Sequence, residues 1–307
     1  MRAIRERVMG TELLLVLPPR EGADVLGWLR EVERVFSRFL PDSDTSRANA
    51  GDGAAGVAVS ALFLKVLDEA CRYQARTGGL FSPFLGAELV RLGYGVDFDQ
   101  LVRSDPPAPV TVAPAAGSPT AGQNPPRVHL DHDAGTVLLP PGVAVDLGGF
   151  VKGWSVQAAA DAVSAPRCLI DAGGDLVART GPADPPWRVG VEHPLAPEPA
   201  GTLALSGSVA VATSSVVRRG WRDAAGTRLH HIVDPRTGAP ADSDCLQATV
   251  LTRDLAAAEV YATCLTILGT AEGPGWLAGQ DPAAGWLTVD RDGAVRTSPD
   301  LPLESPA

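Results

Sequence analysis

Apolar residues follow a helical repeat near the start of the chain. They recur every three or four residues at Val25, Leu29, Val32, Phe36 and Phe39. This spacing places them on one face of an amphipathic helix that packs against a core. Ser60 is a suitable N-cap for a second helix that runs to Arg76, since its hydroxyl can accept a hydrogen bond from a backbone amide of the first turn.

Short apolar runs with strand character dominate the second half of the chain. The predicted strands include Cys168–Asp171, Trp187–Val191, Leu203–Ser206, Val209–Ala212, Gln247–Leu251 and Gly285–Val289. Many short strands interspersed with a few helices are typical of an α+β fold with antiparallel sheets. The sequence therefore predicts packed helices on antiparallel sheets.

One predicted helix carries two oxygen donors on a single face. It begins after the N-cap Asp254 and stops at Gly269. Glu259 and Thr263 are four residues apart, so both side chains project from the same side. Hard oxygen donors suit magnesium, which typically takes one or two carboxylates plus substrate phosphate. The alternative is a solvated glutamate and a threonine bonded to its own helix.

A glycine-rich turn precedes another predicted helix. An apolar strand ends at Asp146, Gly148 and Gly149 follow, and the run from Trp154 to Val163 is helical. Backbone N–H groups at the start of a helix attract anions, and Lys152 adds a full positive charge. The spacing differs from those of the P-loop and the dinucleotide fingerprint. An ordinary strand–helix turn remains the alternative.

A third segment, 230–240, concentrates polar chemistry on a turn. His230, His231, Asp234 and Arg236 lie where an apolar run, Leu229 to Val233, breaks into Asp-Pro and Thr-Gly. Proline fixes φ and glycine allows a positive φ, so the turn is rigid and its polar groups are accessible. An ordinary surface turn with half-buried histidines is the alternative.

Together the three segments resemble the core motifs of the ApbE family, the flavin transferases that move FMN from FAD onto a protein. Four further stretches resemble family motifs in the same order. They are Phe36–Asn49, Thr77–Pro83, Asp171–Asp175 and Ala212–Ser215. The resemblance covers about Met9 to Gly269. It implies an ApbE-like, T-fold-related α+β architecture.

The resemblance also implies roles for individual residues. The matches to flavin-contacting positions are Met9, Leu80, Phe81, Ser82, Asp146, Lys152 and Ile232. The matches to metal positions are Gly149, through its backbone carbonyl, and Glu259 and Thr263. The implied catalytic set is His231, Asp234 and Lys152. His231 is a candidate base for the acceptor hydroxyl, and Asp234 would orient that imidazole or assist the metal; the sequence does not decide which of the two is the base.

Three positions depart from the family pattern. Glu259 replaces the usual metal aspartate and is one methylene longer. Ser82 and Gln157 stand where the family has aspartates. These changes leave the metal affinity and the flavin orientation open.

The implied activity is transfer of FMN from FAD to a Thr or Ser hydroxyl of an acceptor protein, with Mg²⁺ as cofactor and AMP as the second product. Two alternatives use the same residues. One is an FAD pyrophosphatase, in which water replaces the hydroxyl. The other is a non-catalytic FAD-binding protein with a decayed metal site. Acceptor dependence of AMP release separates the first two.

Composition narrows the partners and the location. A chain of 307 residues with 45% hydrophobic content can bury a substantial core. Net charge of −10 and a pI near 5.0 argue against nucleic acid and anionic membranes as partners. The four cysteines lack zinc spacing and are expected to be free thiols. The charged first residues lack a signal core or a lipobox, which predicts a cytoplasmic protein.

The expected domain organisation is simple. A single domain is predicted over residues 1–298, with a flexible Pro- and Ala-rich insertion at about 104–127 and a disordered tail at 299–307.

Overall fold

A computed structural model describes residues 2–103, 126–223 and 225–304. Most of the predicted insertion therefore lies outside the described residues. The chain forms two compact units, each made of separate segments. The first unit comprises the described residues of 1–31, 152–218 and 242–307, and the second those of 32–151 and 219–241.

Helices and strands are segregated along the described residues, and a run of ten strands separates the last two helices. The helices are α1 (Pro19–Phe36), α2 (Asp44–Asn49), α3 (Ala61–Arg76), α4 (Gly86–Arg91), α5 (Phe98–Arg103), α6 (Val151–Ala162) and α7 (Leu255–Gln280). The first nine strands are β1 (Arg2–Val8), β2 (Thr11–Leu17), β3 (Val57–Ala58), β4 (His129–Asp131), β5 (Thr136–Leu138), β6 (Cys168–Ala172), β7 (Asp175–Arg179), β8 (Trp187–Val191) and β9 (Gly201–Leu205). The others are β10 (Ser208–Ser215), β11 (Gly220–Arg222), β12 (Arg228–His230), β13 (Val233–Asp234), β14 (Ala239–Pro240), β15 (Cys245–Thr252), β16 (Gly285–Asp290), β17 (Val295–Thr297) and β18 (Leu303–Glu304).

An eight-stranded sheet in the order β1-β2-β6-β7-β10-β15-β16-β17 is the frame of the first unit. Every neighbouring pair in it is antiparallel. One apolar face carries Leu176, Val211 and Leu287, which are buried together with Leu203 of β9. Helix α7 packs on β10 and β15. The predicted α+β fold with antiparallel sheets is confirmed, and α7 brings its polar positions over the middle of the sheet.

The predicted end of α7 at Gly269 is a sharp break rather than a stop. Gly269 has φ 86° and ψ 176°, and the chain returns to helix at Thr270. The N–H of Thr270 donates to Asp244 Oδ1 at 2.8 Å, so a carboxylate from elsewhere in the chain satisfies a free N–H at the start of the second segment. Positive φ is the conformation that glycine adopts without a side-chain penalty, which explains this residue type at the break.

Gly269→Ala should lower the free energy of unfolding by about 2 kcal/mol or more, because the new Cβ combines left-handed strain with steric conflict. An ideal Cβ would lie 2.5 Å from Asp244 Oδ1. Urea unfolding measures the loss. Gly275→Ala in the same helix is the matched control, since no atom lies within 4 Å of its Cβ position. That variant should gain roughly 0.5–1 kcal/mol. Equal stability of the two variants would contradict the prediction.

The second unit has its own core around α4 and two short hairpins. Leu92, Tyr94, Trp221, Leu229 and Val233 are buried together in it. β11 pairs with β12, and β13 with β14. The predicted apolar strand over 229–233 is thus divided between β12 and β13, because the chain must leave one hairpin and enter the next. The predicted Ser60 cap is confirmed, since its hydroxyl accepts the Phe63 N–H at 3.1 Å.

The predicted disordered tail needs a correction over its described part. Leu301 is buried in the core of the first unit, and Leu303 and Glu304 pair with β9. Gly201 leaves room for the Leu303 side chain, since a Cβ there would lie 2.6 Å from Leu303 Cδ1. Apolar contact and strand pairing therefore hold a segment whose composition alone suggested disorder.

The four cysteines are free thiols, and three of them are buried. Burial raises the pKa of the Cys71 thiol to about 11, so even this half-buried cysteine is a poor nucleophile at neutral pH. Among the described residues, no helix combines the length and the apolar character needed to cross a membrane.

Candidate active site

In the first unit, a lysine lies between two buried carboxylates. Lys152 Nζ is 2.5 Å from Asp175 Oδ2 and 3.9 Å from Glu259 Oε1. Asp175 and Glu259 are 1% and 5% exposed. Burial raises the pKa of Glu259, the Asp175 carboxylate raises it further, and the ammonium of Lys152 lowers it. The cluster needs positive charge in order to keep both carboxylates ionised.

The close approach of α6 and α7 fixes the orientation of Glu259. Gly153 N donates to Glu259 Oε2 at 2.8 Å. A Cβ on Gly153 would lie 2.7 Å from the Leu255 carbonyl oxygen and 2.9 Å from Glu259 Oε2. Gln157 Oε1 accepts the Leu255 N–H at 3.0 Å, and Asp254 caps the same helix as predicted. The glutamine at the family's aspartate position thus holds the first turn of the helix that carries Glu259.

Two hydroxyls meet one turn further along α7. Ser214 Oγ lies 3.0 Å from Thr263 Oγ1, so β10 and α7 each contribute one oxygen. The preceding residue of β10, Thr213, donates its N–H to Asp175 Oδ1 at 3.0 Å. Strand β10 therefore orients the carboxylate that binds Lys152 and also supplies a hydroxyl beside Thr263.

The donor set suits a hard cation. Within the part of the chain that the structure describes, no group of three or more His, Cys, Asp or Glu side chains could hold a metal ion. Magnesium needs fewer protein ligands, since it usually keeps waters and takes substrate phosphate oxygens. Glu259 is a buried carboxylate whose pKa is raised by burial, and a nearby cation would favour its charged form. Glu259 and Thr263 therefore fit magnesium.

The second unit contains the glycine turn, Asp146–Gly149. Asp146 Oδ2 receives Arg38 Nε at 2.7 Å, and its Oδ1 accepts the Gly148 N–H at 2.8 Å. The side-chain bond to an amide two residues on closes a local turn. Gly148 and Gly149 are exposed. Asp146 thus shapes a turn whose glycine backbone is accessible to a ligand.

The predicted flavin-contacting turn is packed around a phenylalanine. Phe81 is 5% exposed, and its ring centroid lies 6.0 Å from that of Phe150. Ser82 is also buried, and its Oγ accepts Gln74 Nε2 at 3.1 Å and Phe84 N at 3.2 Å. The serine at the family's second aspartate position is therefore used to hold the turn itself. Leu80 is half-buried.

The candidate base His231 is oriented by a backbone carbonyl. Its Nδ1 lies 3.3 Å from the Arg219 carbonyl oxygen, which also accepts the His231 backbone N–H. A carbonyl can only accept, so this contact requires the proton on Nδ1 and makes Nε2 the basic nitrogen. The next residue, Ile232, is buried, and its carbonyl accepts the Ala241 N–H at 2.9 Å.

Asp234 is paired with Arg236 in this structure. Arg236 Nε and Nη2 donate to the two carboxylate oxygens at 2.9 and 2.8 Å, and Arg236 N donates to Oδ1. The sequence-based assignment left Asp234 between orienting the imidazole and assisting the metal. Here its carboxylate closes the Asp-Pro-Arg turn, and the Arg219 carbonyl orients the imidazole.

Met9 lies at a strained turn of the first unit. Met9 and Gly10 connect β1 to β2 with φ values of 55° and 65°. Two positive φ values in a two-residue hairpin loop correspond to a type I′ turn, and a non-glycine residue there carries strain. Met9 Sδ is 3.9 Å from Ser155 Oγ, which fixes the side chain next to helix α6.

Four residues that contact the predicted site residues in the structure had no role assigned from the sequence. They are Asp175, Ser214, Arg38 and Arg219, whose carbonyl accepts from His231. Asp175 and Ser214 lie within motifs that were noticed, so their polar side chains beside glycine and threonine were an available signal. Arg38 also lies within such a motif, Phe36–Asn49, but its neighbours in the sequence do not point to its partner Asp146, and those of Arg219 do not point to His231, because both partners are reached only through the fold.

The fold and the site define an α+β protein whose buried lysine, carboxylates and hydroxyls suit metal-assisted handling of phosphate groups. The profile of the ApbE family matches residues 9–286. The chain therefore belongs to the ApbE family, which confirms the resemblance.

Relatives and solved structures agree with this membership. An FAD:protein FMN transferase of Vibrio cholerae is 29% identical over 252 residues, which cover 80% of this chain and 72% of the relative. One of Rhodobacter capsulatus is 27% identical over 92% of this chain, which spans only 53% of that longer protein. The crystal structure of the ApbE protein from Thermotoga maritima has a TM-score of 0.80 and 26% identity, covering 97% of each chain. The flavin transferase ApbE from Vibrio cholerae superposes with a TM-score of 0.76 at 23% identity, covering 97% of this chain and 96% of that one.

Proposed function

We propose that this ApbE-family enzyme is a magnesium-dependent FAD:protein FMN transferase. It moves FMN from FAD onto a Thr or Ser hydroxyl of an acceptor protein and releases AMP. The observation that carries the proposal is the Lys152–Asp175–Glu259 cluster with hydroxyls beside it, which suits a pyrophosphate and its metal. The names of the relatives in Vibrio cholerae and Rhodobacter capsulatus support the same activity.

The reaction exchanges one phosphorus–oxygen bond for another. The acceptor oxygen attacks the phosphorus on the FMN side of FAD, and the bond from that phosphorus to the bridging oxygen breaks. AMP leaves with the bridging oxygen, and the hydroxyl proton passes to the base. Such transfers depend mainly on positioning and on stabilising negative charge.

His231 is the proposed base. Its Nδ1 faces the Arg219 carbonyl, so Nε2 is the nitrogen that accepts the hydroxyl proton. Asp234 supports the turn through Arg236 and fixes the chain direction just after the histidine. We assign Asp234 an indirect part in the catalytic set.

Lys152 is the proposed donor to the developing negative charge. Asp175 holds its ammonium at 2.5 Å, which limits the rotamers of the lysine. A charge fixed in advance stabilises the transition state without reorganisation. The resemblance also implies that Lys152 binds FAD. One ammonium can both bind the FAD phosphates and stabilise the negative charge that develops on them.

Glu259 and Thr263 are the proposed side-chain ligands of magnesium, and the Gly149 carbonyl is the third family position. Bound magnesium would supply charge neutralisation at the pyrophosphate oxygens. Because the Gly153 N–H engages Glu259 Oε2, Oε1 would be the oxygen of this carboxylate left to hold the cation. The longer glutamate thus keeps one carboxylate oxygen for the metal.

The flavin positions remain proposals of the same kind. The residues concerned are Met9, Leu80, Phe81, Ser82, Asp146 and Ile232. Asp146 acts through the glycine turn that it closes. Phe81 and Ile232 are buried and provide apolar walls, whereas Ser82 stabilises the turn next to Phe81.

The deciding experiment follows AMP release from FAD by the purified protein. The assay compares samples with and without magnesium and with and without a candidate acceptor, and the intact mass of the acceptor is measured in each. AMP that depends on both additions, together with an FMN mass increment on the acceptor, supports the transferase. AMP without an acceptor indicates an FAD pyrophosphatase. Bound, intact FAD in every sample indicates a flavin-binding protein.

Glu259→Gln should raise the magnesium concentration needed for half-maximal activity by roughly 10- to 100-fold, because the amide keeps the shape but loses the charge. A magnesium titration of AMP release measures this change. Glu272→Gln on an exposed turn of the same helix is the control and should titrate like the unmodified enzyme. An unaltered titration for Glu259→Gln would place the metal elsewhere.

The partners proposed for this activity are FAD and an acceptor flavoprotein that carries the modified Thr or Ser. The cytoplasmic location stays a prediction. Fractionation of the natural host with an antibody to this chain tests it.

A further inference from the structure

The second unit contains an aromatic cluster that the proposed chemistry does not use directly. Tyr94 lies at its centre, with its ring centroid 5.3 Å from that of Trp221 and 5.8 Å from that of Phe39. The guanidinium carbon of Arg38 lies 4.5 Å from the Tyr94 centroid and 4.2 Å from the Phe39 centroid. One tyrosine ring therefore contacts both an arginine and a tryptophan.

Arg38 connects this cluster to the glycine turn. Its Nε donates to Asp146 Oδ2 at 2.7 Å, and the two side chains are only 10% and 15% exposed. Asp146 in turn accepts the Gly148 N–H. An ion pair shielded from water has a defined geometry, and a guanidinium stacked on aromatic rings has few alternative rotamers. Arg38 thus fixes the conformation of the glycine turn.

Trp221 connects the cluster to the histidine. Its Nε1 donates to the Leu92 carbonyl at 2.9 Å in a buried contact. Trp221 pairs with Leu229 in the β11–β12 hairpin. Arg219, two residues before Trp221, provides the carbonyl that orients His231. The position of the indole therefore determines where that carbonyl lies.

The backbone holds Tyr94 firmly in place. Its N–H donates to the Leu89 carbonyl at 2.8 Å, and Gly93 before it has φ 94°, which together end α4. Burial raises the pKa of the Tyr94 phenol, so the ring is neutral at physiological pH and its face remains attractive to a cation. The tyrosine is a fixed platform for the two side chains on it.

We propose that Tyr94 is a positioning residue that sets two parts of the second unit at once, the glycine turn through Arg38 and the His231 imidazole through Trp221. The inference rests on the proposed function, because it assigns the turn to FAD binding and the imidazole to proton transfer. Loss of the ring should therefore change both the affinity for FAD and the rate of AMP release.

Two variants at position 94 test the platform. Tyr94→Phe keeps the ring and should leave the FAD dissociation constant and kcat within about twofold of the unmodified enzyme. Tyr94→Leu keeps an apolar side chain but removes the ring. It should weaken FAD binding about tenfold and lower kcat about tenfold. Flavin fluorescence measures the first quantity, and acceptor-dependent AMP release measures the second.

Variants of Arg38 and Trp221 separate the effect on the glycine turn from the effect on His231. Arg38→Met keeps the aliphatic stem and should weaken FAD binding with little change in kcat. Trp221→Phe loses the donor to the Leu92 carbonyl and should lower kcat with little change in FAD affinity. Arg72→Met, at an exposed ion pair in helix α3, is the control and should change neither.

Specific outcomes would overturn the inference. One is a Tyr94→Leu variant that has a lower melting temperature but the FAD affinity and kcat of the unmodified enzyme. The other is a Tyr94→Leu variant in which only the FAD affinity or only kcat changes. If Tyr94→Leu does not fold, the Arg38→Met and Trp221→Phe pair decides. Arg38→Met should weaken FAD binding alone, Trp221→Phe should lower kcat alone, and the double variant should show both effects. Unmodified FAD affinity in Arg38→Met, or unmodified kcat in Trp221→Phe, would overturn the inference. An unmodified enzyme that binds FAD but releases no AMP would instead overturn the proposed function.

Discussion

His231→Ala is expected to lower the rate of FMN transfer by about 10²- to 10⁴-fold, the usual contribution of a positioned general base. The Arg219 carbonyl keeps the proton on Nδ1, so Nε2 is basic and can take the acceptor proton. Alanine removes this nitrogen, whereas the proposed flavin contacts lie in other residues. The FAD dissociation constant should therefore change by less than about threefold. Single-turnover formation of flavinylated acceptor measures the rate.

His230→Ala is the matched control for this prediction. The neighbouring imidazole makes a different contact, with its Nε2 3.1 Å from the Ala241 carbonyl oxygen. Its loss should leave most of the transfer rate. Equal rates for His231→Ala and the unmodified enzyme would remove His231 from the role of base. A large loss of FAD binding in that variant would assign it to flavin binding instead.

Lys152→Met is expected to lower the transfer rate by about 10²- to 10³-fold, as is usual for a lost donor to developing negative charge. It should also lower the free energy of unfolding by about 3 kcal/mol, because removal of one partner leaves buried charge uncompensated. Asp175 would then lose its nearest positive charge, and the pKa of Glu259, which burial and the Asp175 carboxylate already raise, would rise further. Acceptor flavinylation and urea unfolding measure the two effects.

Lys65→Met is the control for the loss of a lysine, since Lys65 is exposed on helix α3. It should leave both the rate and the stability nearly unchanged. A Lys152→Met enzyme as stable as the unmodified one would contradict the buried ion pair. If that variant were unstable but fully active, Lys152 would have a structural role only.

The sequence predicted correctly those features that depend on interactions within a few residues. The hydroxyl of Ser60 and the carboxylate of Asp254 cap helices as predicted, because an N-cap needs only its own helix. The strand Trp187–Val191 was predicted with its observed bounds. Family motifs made Lys152 and Glu259 candidates through their immediate neighbours, and their roles stay predictions.

Contacts across the chain were not readable in this way. Gly153 and Glu259 are 106 positions apart, and their bond depends on how closely α6 and α7 approach. Asp175 was seen only as part of a glycine turn, although it is the carboxylate nearest to Lys152. Residue spacing along the chain carries no information about such distances, because they are set by the order of strands in the sheet and the packing of helices on it.

The sequence by itself determined the α+β class, the N-caps Ser60 and Asp254, the family and the residue types available for catalysis, whereas it began α6 at Trp154 instead of Val151. The tertiary structure alone decided how those groups are used. It placed the Arg219 carbonyl on His231, paired Asp234 with Arg236, and set Tyr94 between Arg38 and Trp221. The physical reason is that periodicity and capping are local properties of the sequence. The partner of a buried polar side chain, in contrast, comes from a distant segment that folding brings next to it, and buried polar groups must find such partners.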